Sequence, residues 1–253
     1  MTKKPRPNLL SDATRRFTLV FVAAIALFTC RIAMRVHRAR LNHQLIQALY
    51  KNDEYAAITA LRNGADPNAT DTGFIPPSSM IGWIREVGFG AQRRDKEYHA
   101  PALIVAMDYR WRTAKQVGCF RTDYYIPAND PPEMASATKA LLDTGANFRI
   151  HNEVGYTPLQ IAAWQGKART VELLLARGAN LNEVGAGKQF QTESPLHLAI
   201  HGESAESVKA LLAHGARLNA KWEFYGIPLH KFIRHSNPEL RHIVLNALAN
   251  PNR

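Results

Sequence analysis

The stretch Gly155-Tyr156-Thr157-Pro158-Leu159-Gln160-Ile161-Ala162-Ala163, closed by Leu174-Leu175-Ala176-Arg177-Gly178-Ala179-Asn180-Leu181-Asn182, decides the fold because the chain writes it again. Glu193-Ser194-Pro195-Leu196-His197-Leu198-Ala199-Ile200 repeats its opening, and Leu211-Leu212-Ala213-His214-Gly215-Ala216-Arg217-Leu218-Asn219 repeats its close. A further opening stands at Gly226-Ile227-Pro228-Leu229-His230. The spacing is regular: Pro158 to Gly178 and Pro195 to Gly215 are each 20 residues, while Gly145 to Pro158 and Gly215 to Pro228 are each 13, which together make a unit of 33. Self-similarity at such a period is the signature of a stacked-repeat architecture.

Each landmark has a physical reading. Thr157 and Ser194 are N-cap residue types whose hydroxyls can accept a bond from an orphan backbone N–H. The prolines that follow, Pro158 and Pro195, suit the first helical position, where a missing N–H costs nothing. A short helix is predicted to start at each, with small Ala162, Ala163 and Ala199 allowing close approach to neighbours. Leu141-Leu142, Leu174-Leu175 and Leu211-Leu212 supply the buried stripe of a second helix. Gly64, Gly145, Gly178 and Gly215 close these second helices, and Gly178 and Gly215 are predicted to adopt positive φ.

This pattern resembles the ankyrin repeat, of the kind also found in bacterial proteins. Two earlier units depart from it. Leu61-Arg62-Asn63-Gly64-Ala65-Asp66-Pro67-Asn68 is a repeat ending preceded by Leu45-Ile46-Gln47-Ala48-Leu49, with no Thr-Pro opening, as suits an N-terminal cap. Ala100-Pro101-Ala102-Leu103-Ile104-Val105-Ala106 is a degenerate opening whose ending is Ala140-Leu141-Leu142-Asp143-Thr144-Gly145-Ala146-Asn147. Gly64 to Pro101 is 37 residues and Pro101 to Gly145 is 44, so each interval carries a 24-residue insertion, at about 70–98 and 108–131. The last unit, Gly226 to Ala249, lacks a closing glycine and reads as a C-terminal cap. The resemblance implies an all-α solenoid of about five helix pairs over residues 41–253, with almost no strand.

The N-terminus is of a different kind. Residues 1–16 form a basic arm, and Phe17 to Cys30 is an uncharged run, FTLVFVAAIALFTC, flanked by Arg15-Arg16 and Arg31. As a helix the run spans only about 21 Å, short of the roughly 30 Å hydrocarbon core, but continuing through Val36 with Arg31 and Arg35 snorkelling makes residues 17–36 long enough. The leading expectation is an uncleaved, single-pass transmembrane anchor helix. A cleaved signal peptide and a helix packed on the repeats remain alternatives: the first lacks small-x-small residues after the run, the second a polar face. Cys30 ends the run, but Thr29 stands where a lipoprotein box carries Gly, Ala or Ser. Basic residues number five before the run and four after it, and the arginines directly after it tip the body slightly to the cytoplasmic side.

The formal charge of +11 is concentrated in the first forty residues, where Lys3, Lys4, Arg6, Arg15, Arg16, Arg31, Arg35, Arg38 and Arg40 face only Asp12. The rest of the chain is near neutral, which weakens a nucleic-acid reading. Cys30 and Cys119 show no metal or redox spacing. Ten histidines form no ligand set, and His197 and His230 fall at a motif position where the ring serves local structure. His235 and His242 are separated by Pro238. No phosphate loop, nucleophile–base order or paired acid is present, so the sequence reads as a non-enzyme with no cofactor, no metal and no small-molecule substrate.

The insertions carry Phe74, Trp83, Phe89, Arg93 and Arg94 in the first, and Tyr109, Arg110, Trp111, Arg112, Phe120, Arg121, Tyr124 and Tyr125 in the second. Trp, Tyr and Arg are the residue types that anchor interfaces. Trp83, Arg93, Arg94, Tyr109, Trp111, Arg112, Tyr124 and Tyr125 are therefore the candidate protein-binding residues, with packing of the insertions as the equal alternative. Trp164 and Trp222, beside repeat motifs, are expected to pack. The functional expectation is a membrane-anchored scaffold or adaptor that binds a protein partner. Alternatives are a nucleic-acid or anionic-lipid binder using the arm with Arg93, Arg94, Arg110 and Arg112, and a secreted effector that binds a host protein.

Overall fold

A computed structural model describes residues 9–70, 100–107, 134–152, 155–183, 193–218, 223–224, 227–234 and 236–249. Ten helices lie among them: α1 (Leu9–Tyr50), α2 (Glu54–Arg62), α3 (Ala102–Met107), α4 (Ala135–Asp143), α5 (Pro158–Trp164), α6 (Ala168–Ala176), α7 (Pro195–His201), α8 (Ala205–Ala213), α9 (Leu229–Phe232) and α10 (Pro238–Ala249). The only strands among the described residues are β1 (Glu223–Phe224) and β2 (Ile227–Pro228), paired antiparallel with Phe224 opposite Ile227. The described chain divides into two compact units, one ending at Arg40 and the other starting at Leu41.

In the second unit the helices form two rows. One row is α3, α5 and α7, each packed on the next; the other is α2, α4, α6, α8 and α10, again in order. Rungs join the rows: α3 to α4, α5 to α6, and α7 to α8. The first row is enclosed between neighbours, and every residue of α3 and α5 is buried. The second row buries one side only, as in α6, where Thr170, Val171 and Leu174 are covered and Glu172 is exposed. Ala162, Ala163 and Ala199 are fully inaccessible, so the small residues of these helices are core residues.

Gly178 and Gly215 have φ of +83° and +89°, the left-handed conformation that ends a helix and that other residues reach only with strain. The turn between the two helices of a pair uses the same conformation, at Asn52 (φ 57°), Gly166 (φ 70°) and Glu203 (φ 53°). Gly202, one residue before Glu203, has an ordinary φ of −74° but no room for a side chain. A Cβ there would fall 2.0 Å from the carbonyl oxygen of Trp164.

Caps follow local chemistry. Asp53 Oδ1 accepts the Ala56 N–H at 2.9 Å at the start of α2, and Ser204 Oγ accepts the Ser207 N–H at 3.2 Å at the start of α8. The start of α4 has no side-chain cap of its own, since Met134 holds the N-cap position. Glu54 of α2 replaces it, its Oε1 accepting the N–H groups of Ser136 at 3.0 Å and Ala137 at 3.3 Å. The first insertion leaves and rejoins the stack at one point: Thr70 and Pro101 form an antiparallel bridge, and the Ala102 N–H donates to the Ala69 carbonyl at 2.8 Å. The insertions themselves lie outside the described residues.

Helix α1 runs unbroken from Leu9 to Tyr50, with no glycine or proline between Pro7 and Gly64 to interrupt it. Sequence spacing placed a first repeat helix at Leu45–Leu49; the structure makes these residues the end of α1, where Leu45 and Leu49 are completely buried in the repeat core. From Phe17 (76% exposed) to Phe28 (65%) the large apolar side chains are uncovered. The two hydroxyls of this run are satisfied internally, Thr18 Oγ1 donating to the Thr14 carbonyl and Thr29 Oγ1 to the Ala26 carbonyl. This helix is long and apolar enough to cross a membrane, a property that a signal sequence shares.

Candidate protein-binding surface

The openings of successive helix pairs are built around one position. At the start of α5, Thr157 Oγ1 accepts the Gln160 N–H (3.2 Å), and Gln160 Oε1 accepts the Thr157 N–H in return (2.8 Å). This reciprocal pair is a capping box, and Pro158 sits at the first helical position as expected. The amide of Gln160 has a second role: Nε2 donates to the carbonyls of Glu193 (2.8 Å) and Glu183 (3.4 Å), tying α5 to the segment that leads into α7.

His197 takes the same place in α7, and there the chemistry differs. Ser194 has extended backbone and Pro195 follows it, but the Ser194 hydroxyl does not cap the helix. Its Oγ lies 2.9 Å from His197 Nδ1 and bonds the ring instead, which corrects the expectation of a backbone cap at Ser194. Burial pushes the His197 imidazole down to about 4, so the ring is neutral at physiological pH. Burial also pushes the neighbouring Glu193 carboxyl up to about 7.

The last opening is looser. Pro228 is extended (φ −61°, ψ 146°) and stands before α9 rather than inside it, because β2 holds Ile227 and Pro228 in the short hairpin. His230 is exposed on α9, whereas His197 is buried in α7.

An aromatic series crosses these pairs. Tyr156 and Trp164 rings are 6.0 Å apart, Trp164 and His201 6.0 Å, and His201 and Phe232 5.9 Å, in tilted arrangements. Trp164 is buried, in line with the packing expectation; Trp222 lies outside the described residues. On the outer face, Arg177 pairs with Asp143, joining the end of α6 to α4, and Lys209 pairs with Glu239, joining α8 to α10. Hydrogen bonding from Lys139, at 2.5 Å, and from Arg177 holds the Asp143 carboxyl below its ordinary range. The hydrogen bond from Lys209 to Glu239 raises the lysine.

Between the turns that follow α4 and α6 lies an open cleft of about 330 Å³, lined by Phe148, Arg149, Leu159, Asn180 and Glu183. The Arg149 guanidinium stands 5.9 Å from the Phe148 ring centre, and His151 Nε2 is 3.8 Å from Glu183 Oε1. The cleft presents polar and apolar groups together but no nucleophile–base pair, and no cluster of three metal-ligating side chains occurs among the described residues.

A family model for ankyrin repeats, in three copies, matches residues 132–222. Residues 132–222 of the chain are therefore ankyrin repeats. The match begins just ahead of α4 and ends after α8, so it contains Thr157, Pro158, Gly178, Ser194, Pro195, His197 and Gly215, while Pro228 and His230 follow it. Ankyrin repeats are a protein–protein interaction module, and the stack described above is a module of that class. Comparison with curated proteins gave no match.

The residues expected to select a partner, Trp83, Arg93, Arg94, Tyr109, Trp111, Arg112, Tyr124 and Tyr125, lie outside the described residues, as does Arg110. Three structural residues escaped the sequence reading. Gln160 was legible, since Thr157-x-x-Gln160 is a capping-box spacing and aligns with Ser194-x-x-His197. Glu54 was not, because its bonds reach 82 and 83 residues along the chain. Nor was Lys167, which is buried with its Nζ donating to the Met107 carbonyl at 2.8 Å, at the point where the second insertion leaves α3.

Proposed function

We propose that this ankyrin-repeat protein is a membrane-anchored adaptor: the segment 17–36 crosses a bilayer, the repeat domain over 41–253 binds a protein partner, and the two insertions choose which one. The observation that carries the reading is the uncovered apolar stretch from Phe17 to Phe28 in a chain that also holds a protein-interaction module. Eleven apolar side chains left in water would be costly, at roughly 25 cal/mol per Å² of exposed apolar surface, whereas lipid removes that cost. The internal bonding of Thr18 and Thr29 supports the same placement, because a hydroxyl in hydrocarbon needs a partner from its own helix.

Specificity is assigned to the insertions because a repeat stack tolerates long loops at little entropic cost, yet these two concentrate Trp, Tyr and Arg. The bridge at Thr70–Pro101 and the Lys167 bond to Met107 fix where they leave the stack. The test is capture of partners from solubilised membranes with the full-length chain, compared with a chain whose residues 110–129 are replaced by a short turn. Capture should fall while the helical content and melting of α5 to α8 stay unchanged, with Trp111→Ala and Tyr124→Ala as the first single variants. Intact capture by the shortened chain, or collapse of the stack, would refute the role given to the insertion.

A further inference from the structure

The N-terminal unit has a charged face as well as an apolar one. Arg31, Arg35 and Arg38 follow the apolar run at helical spacings of four and three, so at 100° per residue they lie within about 60° of one another and cover about 10 Å of the helix axis. All three are exposed, and none of their side chains forms an ion pair or hydrogen bond among the described residues. The sequence supplies no counter-charge along the helix: from Ala13 to Asn52 there is no Asp or Glu.

We infer that Arg31, Arg35 and Arg38 form an anionic-headgroup-binding stripe that fastens the anchor to negatively charged lipid on the side of the membrane where the repeats lie. This rests on the proposed anchor. The headgroup layer on each side of a bilayer is several ångströms deep, comparable to the length of the stripe, so the three guanidinium groups would meet phosphates at successive depths. Helical side chains lean toward the helix N-terminus, which tilts Arg35 and Arg38 back toward the bilayer, while Arg31 snorkels outward along its stem. Guanidinium is suited to this role because its planar fork binds phosphate oxygens in pairs and stays charged at every physiological pH. Charge complementarity selects a lipid surface over a protein groove here, since the stripe continues directly from the apolar face that would enter lipid.

The test uses the full-length chain in detergent with equal amounts of phosphatidylglycerol and phosphatidylcholine, reading retained lipids by native mass spectrometry. Wild type should prefer the anionic lipid by about tenfold or more, given what each basic residue contributes at an anionic surface. The triple variant Arg31→Gln, Arg35→Gln, Arg38→Gln should lose most of that preference, the triple Arg→Lys variant should keep most of it, and Arg62→Gln in α2 should match wild type. An unchanged preference in the triple Gln variant overturns the inference. So does a wild type that shows no anionic preference but binds duplex nucleic acid through the same arginines. Flotation of wild type and both triple variants with neutral vesicles separates the two readings. If wild type fails to float, the anchor itself is wrong; if all float and only the lipid preference is missing, the anchor stands and the stripe does not.

Discussion

Two glycines, one in an open turn and one in a closed contact, should respond oppositely to the same pair of substitutions. At Gly178 nothing lies within 4 Å of an added Cβ, so the only penalty is the left-handed backbone at φ +83°. Alanine there should cost about 1–2 kcal/mol, and asparagine, which tolerates this conformation, only a fraction of that. At Gly202 the backbone is ordinary, but a Cβ would meet the Trp164 carbonyl oxygen at 2.0 Å and its carbon at 2.9 Å. Ordinary carbon–oxygen contact is near 3.3–3.6 Å, so α5 and α7 would have to part by more than about 1 Å. Ala162 and Ala163 of α5 and Ala199 of α7 are all fully buried, which leaves the packing around these helices little slack to absorb the shift. Gly202→Ala should therefore cost roughly 3 kcal/mol or more, at or beyond the upper end of ordinary overpacking, and Gly202→Asn should be worse still. The assay is urea unfolding of fragment 41–253 followed by far-UV circular dichroism, where a loss of this size lowers the midpoint by about 1 M or more. Rescue by asparagine at 178 but not at 202 is the diagnostic pattern. Equal costs at the two sites, or tolerance of Gly202→Ala, would refute the close packing of α5 on α7.

Other consequences follow from single contacts. Glu54→Ala removes the acceptor for two N–H groups at the start of α4 and should destabilise by about 1–2 kcal/mol in the same unfolding assay, with Glu54→Gln, which keeps an oxygen acceptor, closer to wild type. The pH dependence of stability should carry opposed contributions from His197 and Glu193. His197 is lowered from 6.5 to about 4, so its contribution is present above 6.5 and is lost as pH falls toward 4; Glu193 is raised from 4.5 to about 7, so its contribution is present below 4.5 and is lost as pH rises toward 7. Between about 4.5 and 6.5 the two cancel, and urea midpoints of wild type should be nearly flat there as far as this pair is concerned. His197→Gln, which copies Gln160, should fold normally and expose a stability that falls with rising pH across that window; Glu193→Gln should expose the opposite slope. Parallel slopes for the two variants would show that burial is not what sets these groups.

What the sequence disclosed and what it hid divide along chain distance. The period of 33, the prolines at 158 and 195 and the left-handed glycines at 178 and 215 are local features, each decided by backbone sterics within a few residues, so their structural consequences were predictable. The two-residue β1–β2 hairpin, which displaces Pro228 from the helix, belongs to the degenerate terminal unit where the motif is weakest. Ser194 misled because capping statistics describe a hydroxyl in isolation, whereas here the His197 ring competes for it. The bonds of Glu54 to α4 and of Lys167 to Met107 join residues far apart in sequence and have no local pattern. The candidate partner-selecting residues rest on composition alone, since Trp83, Trp111, Tyr124 and their companions lie outside the described residues.

Membrane anchoring requires that the exposed run from Phe17 to Phe28 lie in lipid. The direct measurement is alkaline carbonate extraction of membranes from cells expressing either the full-length chain or fragment 41–253, with the N-terminus of the full-length protein sequenced. The full-length chain should stay with the membrane pellet through carbonate and high salt, with its N-terminal segment uncleaved, while the fragment appears folded in the soluble fraction. Release of the full-length chain by carbonate, or an N-terminus that begins beyond residue 30, would contradict the anchor and with it the reading of this protein as a membrane-held adaptor.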